Sequence, residues 1–171
     1  YSNMITAVSS TYAGEIQTAF FGESLDAHLR YHSGKLRGII NGIDYGTWDS
    51  ATDSLLAAPY DINNVLENKK ANKLALQEEL GLEKDEGKFV IGLISRLTNQ
   101  KGLDLINAIV PEIMDGNTQI VVLGTGDAEY ENSFRGYENM YKGSFCANIM
   151  YDEGRAHKIY AGSDALLVPS L

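Results

Sequence analysis

From Lys88 onward the sequence keeps one rhythm: a short apolar run, a polar loop, then a stretch with apolar residues at helical spacing. The pattern predicts strands at 88–95, 119–123, 144–150 and 164–168, separated by helices at 102–114, 127–140 and 153–161. Alternating β and α elements joined by short loops imply a parallel sheet with right-handed crossovers, a Rossmann-like α/β fold. Phe89, Val90, Ile91, Leu93 and Ile94 form a nearly continuous apolar run, as expected of a parallel strand buried on both faces. In the next helix Leu103, Ile106, Ile109, Val110, Ile113 and Met114 recur at helical spacing, and Pro111 is expected to kink or divide it.

Ahead of this region, Met4 to Val8 reads as a strand, and Ser9 or Ser10 can cap a helix running through Gln17. A helix from Leu25 to His32 and a strand from Leu36 to Ile40 follow. Asn41-Gly42 is a strong turn signal, yet YGTWDSATDS does not alternate as a returning strand should, so it reads as a bend into a long connection. Asp44 to Asn64 has little periodicity and carries Pro59 among many Asp, Ser and Asn residues, which marks an interdomain linker. Lys69 to Leu80 reads as a helix closed by Gly81.

Among 171 residues, 14 Lys and Arg face 23 Asp and Glu, giving a net charge of -9. That balance argues against nucleic acid as a partner, because phosphate contacts depend on cations. A hydrophobic content of 44% supports a real core. Cys146 is the single cysteine, and no His/Cys grouping has metal-ligand spacing, so neither a metal nor a disulfide is expected and a reducing cytoplasm fits. No apolar run approaches a membrane span. The start YSNMITAVSS has neither a basic leader nor an initiator methionine, and ALLVPSL stops directly after an apolar run, so both ends read as cut.

Arg96 and Lys101 bracket the loop between the strand at 88–95 and its helix. Each could be an ordinary surface cation. Together at the carboxyl end of a parallel strand, beside a helix start, they suit a diphosphate: Arg as a planar fork, Lys as a mobile point charge. Gly124-Thr125-Gly126-Asp127 resembles the start of a dinucleotide loop, but Glu129 occupies the third glycine position and the strand before it is the second of the domain. A tight turn and a ligand-facing backbone loop both remain open there. Tyr151 follows another strand end, where its ring could stack on a base or pack between strand and helix. Arg155, His157 and Lys158 read as the exposed face of the last helix. His28, His32 and His157 form no triad or metal pattern, and no catalytic role is assigned to them.

Read together, VSSTYAGEIQT (Val8 to Thr18), SLDAHLRYHSGKLRGIINGID (Ser24 to Asp44), SRLTNQKGLDL, VVLGTGD (Val121 to Asp127) and YAGSDALLVPS (Tyr160 to Ser170) resemble bacterial glycogen synthase and plant starch synthase. Those are retaining glucosyltransferases that use ADP-glucose. The resemblance implies the glycosyltransferase-B fold, two Rossmann-like domains facing across a cleft. Residues 1–42 would end the N-terminal domain, 43–64 would be the linker, and 65–171 would be the first half of the C-terminal, nucleotide-sugar-binding domain.

By the same resemblance, Arg96 and Lys101 contact the diphosphate and act as the catalytic cations, Tyr151 lies against adenine, Asn41 faces the cleft near the sugar, and Gly124, Thr125 and Gly126 border the nucleotide. The implied reaction transfers glucose from ADP-glucose to the non-reducing end of an α-1,4-glucan with retention. It needs no cofactor. Ser24 stands where the family commonly has glycine. The segments that line the acceptor side and that would follow Ser170 are absent, Leu171 being the last residue, so the chain alone is expected to be inactive. The competing readings are another glycosyltransferase-B enzyme with a different nucleotide sugar, and a nucleotide-binding module without chemistry.

Overall fold

The computed structural model describes residues 2–170; Leu171 lies outside the described residues. The chain divides into two compact units, Tyr1–Tyr45 and Gly46–Leu171. In the first, strand β1 (Ile5–Val8) pairs in parallel with β2 (Leu36–Ile39), joined through helices α1 (Ser10–Glu15) and α2 (Asp26–Tyr31). Ser9 caps α1, its Oγ accepting from the Tyr12 N–H at 3.1 Å, which satisfies one of the free donors of a helix start. Ser24 adopts φ 71, so the left-handed backbone that a glycine adopts freely is held here by serine.

The second unit carries a four-stranded parallel sheet in the order β5-β4-β3-β6, with β3 at Phe89–Ile94, β4 at Thr118–Leu123, β5 at Phe145–Asn148 and β6 at Ala165–Leu166. Helices α3 (Val65–Glu79), α4 (Leu103–Ile113), α5 (Ala128–Met140) and α6 (Glu153–Gly162) cover it. The period of two along β4 assigns the faces. Ile120 and Val122 join Leu103, Ile106 and Phe134 in one core, while Val121 and Leu123 join Leu76, Ala156 and Ile159 in the other. Phe89, expected inside, is half-exposed at the strand's start.

Several sequence expectations differ from the structure, each for a local reason. Pro111 does not divide α4. Proline leaves the carbonyl four residues earlier without its helical donor, and the Tyr137 hydroxyl donates to that Asn107 oxygen at 3.0 Å. Helix α3 begins at Val65 rather than Lys69, because its first turns are fastened by polar side chains that leave no apolar period. Asn68 Nδ2 donates to the Pro59 carbonyl at 2.7 Å, and Asn72 exchanges hydrogen bonds with both the N–H and the carbonyl of Ala58. These ties also explain why 46–64, expected as part of a linker, belongs to the second unit. Finally, β5 stops at Asn148, where the backbone folds into tight turns, Ile149 N–H to the Ala147 carbonyl and Met150 N–H to the Asn148 carbonyl.

Most of the buried polar side chains are paired, Thr98 Oγ1, Arg155 Nε and Ser163 Oγ being the exceptions among the described residues. Lys73, which is nearly buried, donates to Asp164 at 2.7 Å and to the Lys88 carbonyl at 3.0 Å, and Asp164 accepts from Val90 N–H, tying α3 to the start of β3. Gln77 and Gln119 hydrogen-bond each other at 2.8 Å within the interior.

Candidate functional site

At the carboxyl ends of β3, β4 and β5 a cavity of about 340 Å³ opens, lined by residues from the loops that follow those strands. Parallel sheets collect ligands at this edge. Arg96, Gly124, Thr125 and Tyr151 all line it. Lys101 does not; it ends a short 3-10 turn, Asn99–Lys101, that leads into α4. Gly126 lies one residue outside the lining, and Asn41 belongs to the first unit, exposed beyond the end of β2.

The two loops that carry most of these residues are joined by backbone hydrogen bonds. Ser95 N–H donates to the Leu123 carbonyl at 3.2 Å, Leu97 N–H to Thr125 at 2.9 Å, and Asp127 N–H to Leu97 at 2.8 Å. Such close approach leaves no room for side chains. A Cβ on Gly124 would lie 1.9 Å from the Ser95 carbonyl oxygen, and one on Gly126 would lie 2.2 Å from that of Leu97. Both glycines therefore serve loop-to-loop packing, and Gly124 with Thr125 faces the cavity as well. Glu131 on α5, not singled out in the sequence, accepts from Gly126 N–H at 3.0 Å and holds the loop from the other side.

Of the 14 Lys and Arg side chains, eleven have an ion pair or hydrogen bond among the described residues. Arg96, Lys101 and Lys142 do not. Lys142 precedes β5 and so sits at the opposite edge of the sheet. In an acidic chain the two cations at the ligand edge are left unneutralised, which makes them available to an anion.

Tyr151 is 88% exposed, so it does not pack between strand and helix. The turn ahead of it is tied to α6 by Arg155, whose Nη1 donates to Asn148 Oδ1 at 2.7 Å and approaches Met150 Sδ at 3.6 Å. Arg155 is thus not a free surface cation. His157 departs further from expectation: it is 4% exposed, with Nδ1 hydrogen-bonded to Asp53 Oδ2 at 2.5 Å and its ring stacked under Trp48. Lys158 alone matches the exposed face, pairing with Glu79 at 2.7 Å. Trp48 and Tyr160 supply further aromatic walls of the cavity. Among the described residues no cluster of three or more His, Cys, Asp or Glu could hold a metal.

A family model described as the starch synthase catalytic domain matches residues 1–31. Glycogen synthases of Lachnospira eligens and Clostridium perfringens are each 50% identical over 171 residues, covering 100% of this chain and 36% and 35% of their own lengths. The whole chain aligns with glycogen synthases. That of Thermotoga petrophila is 51% identical over 99% of the chain. The fold agrees: the catalytic domain of Starch Synthase IV from Arabidopsis thaliana, solved bound to ADP and acarbose, superposes with TM-score 0.92 at 36% identity, over 100% of this chain and 35% of that one. The chain spans about a third of the length of the glycogen synthases it matches. No described helix is long and apolar enough to cross a membrane.

Proposed function

We propose that the protein carrying this chain is an ADP-glucose-dependent glucosyltransferase that elongates α-1,4-glucan with retention at the anomeric carbon, and that residues 46–171 hold the nucleotide. The observation that carries this is the pair of unneutralised cations, Arg96 at the aromatic cavity and Lys101 at the head of α4. As the bond from glucose C1 to the diphosphate breaks, negative charge grows on the departing phosphate, and preorganised cations favour that state over the ground state. In this reading the charge is met by side chains, without a metal or cofactor. Tyr151 receives the adenine, and Gly124 to Gly126 border the nucleotide. The glycogen synthase relatives and the starch synthase solved with ADP and acarbose support donor and acceptor of these kinds; the single cysteine is in keeping with a reducing cytoplasm.

A donor competition separates this from a glycosyltransferase with another nucleotide sugar. Given equal ADP-glucose and UDP-glucose and a glycogen primer, the full-length protein is expected to consume ADP-glucose first. Preference for UDP-glucose would move the assignment to the alternative, and failure to consume either would favour a binding module.

A further inference from the structure

Trp48 is the single tryptophan of the chain, and it lies in the stretch where the sequence shows no periodicity. Its indole stacks on the His157 imidazole with centroids 3.8 Å apart at 18° and meets Tyr160 edge-on at 5.7 Å. Asp53, from the same segment, accepts or shares the proton at His157 Nδ1, and its other oxygen accepts from Leu55 N–H at 2.8 Å. Both side chains of the pair are almost wholly buried, at 4% and 8% exposure. The imidazole is therefore fixed in orientation by a carboxylate that is itself fixed, and the indole rests on it.

The supported ring is not itself buried. Trp48 is 37% exposed and lines the same cavity as Tyr151, Tyr160 and Arg96. Rigid aromatic surface beside an unpaired guanidinium matches a planar base joined to a phosphate chain. We infer that Trp48 is a wall of the nucleobase pocket, and that the His157–Asp53 pair is the positioning support that sets its plane and with it the preference for a purine over a pyrimidine. This rests on the nucleotide-binding reading above. The bicyclic base covers more ring surface than a pyrimidine does, so the preference follows from stacked area.

Because the chain has one tryptophan, its emission reports this ring directly. Titrating the full chain with ADP, UDP and inorganic diphosphate, with affinities from calorimetry, tests the inference. ADP is expected to quench Trp48 and to bind about tenfold tighter than UDP, in line with the loss seen when one stacking partner is removed. Diphosphate binds through the cations and leaves the emission unchanged. Trp48→Ala removes the ADP-over-UDP preference with diphosphate affinity retained, Trp48→Phe restores most of it, and Asp53→Asn weakens ADP but not diphosphate. ADP binding with silent Trp48 emission, or an undiminished preference in Trp48→Ala, overturns the wall while leaving the cation grip standing. Binding of neither ADP nor diphosphate overturns both.

Discussion

Single side chains here differ mainly in whether something in the fold already claims them. Arg155 and Lys158 are spent on Asn148 and Glu79, whereas Arg96 and Lys101 have no ion-pair or hydrogen-bond partner among the described residues. Sequence position alone separated these two groups only partly. The SRLTNQKG motif was legible because its residues are neighbours in the chain. Trp48, Asp53 and His157 were not, since Asp53 and His157 meet across a long stretch of sequence and no local period records the meeting. Cys146 makes a prediction at this scale. Burial, reinforced by the charge of Glu138, raises its thiol from 9.0 to about 11. The thiolate at pH 8 is then scarcer by roughly a hundredfold, so iodoacetamide should modify the native chain far more slowly than the urea-unfolded one. Equal rates in both would refute the burial. In the unfolded chain the thiol ionises first, so its contribution to stability is whole below pH 9.0 and is lost as pH rises towards 11.

Between elements, the site depends on loops that fold against each other rather than on any one loop. The backbone bonds from Ser95, Leu97 and Asp127 set where Arg96 stands relative to Thr125. Gly126→Ala would drive a methyl into the Leu97 carbonyl, and overpacking of this kind costs about 1–3 kcal/mol. Urea melts should show that loss, accompanied by weaker ADP binding; unchanged values for both would mean the loops do not need their contact. Helix α4 offers a second case. Tyr137→Phe removes the hydroxyl that serves the carbonyl left by Pro111, and because that acceptor is partly buried the loss should lie near the lower end of the range of about 1–3 kcal/mol that an unsatisfied buried group costs. A melt within error of the parent would show that carbonyl to be satisfied otherwise. The strand and helix sequence from β3 to α6 was readable from periodicity, while the early start of α3 was not, because Asn68 and Asn72 hold it by hydrogen bonds instead of an apolar stripe.

On the scale of the molecule, the alternation of strands and helices led to the doubly covered parallel sheet of residues 46–171, and five separated motifs led to the starch and glycogen synthase likeness. The boundary was less legible. A segment poor in apolar period reads as a linker, yet from Gly46 onward it is bound to α3 and α6 through Asn72, Asn68, Asp53 and Trp48, and it furnishes a wall of the cavity. The central claim is that Arg96 and Lys101 meet the charge on a departing diphosphate. Its most direct test is the turnover of Lys101→Ala in the full-length protein, measured as transfer of labelled glucose from ADP-glucose to glycogen. Loss of one such transition-state contact costs about 2.7–4 kcal/mol, so kcat should fall a hundredfold to a thousandfold. Turnover close to that of the parent would contradict the account.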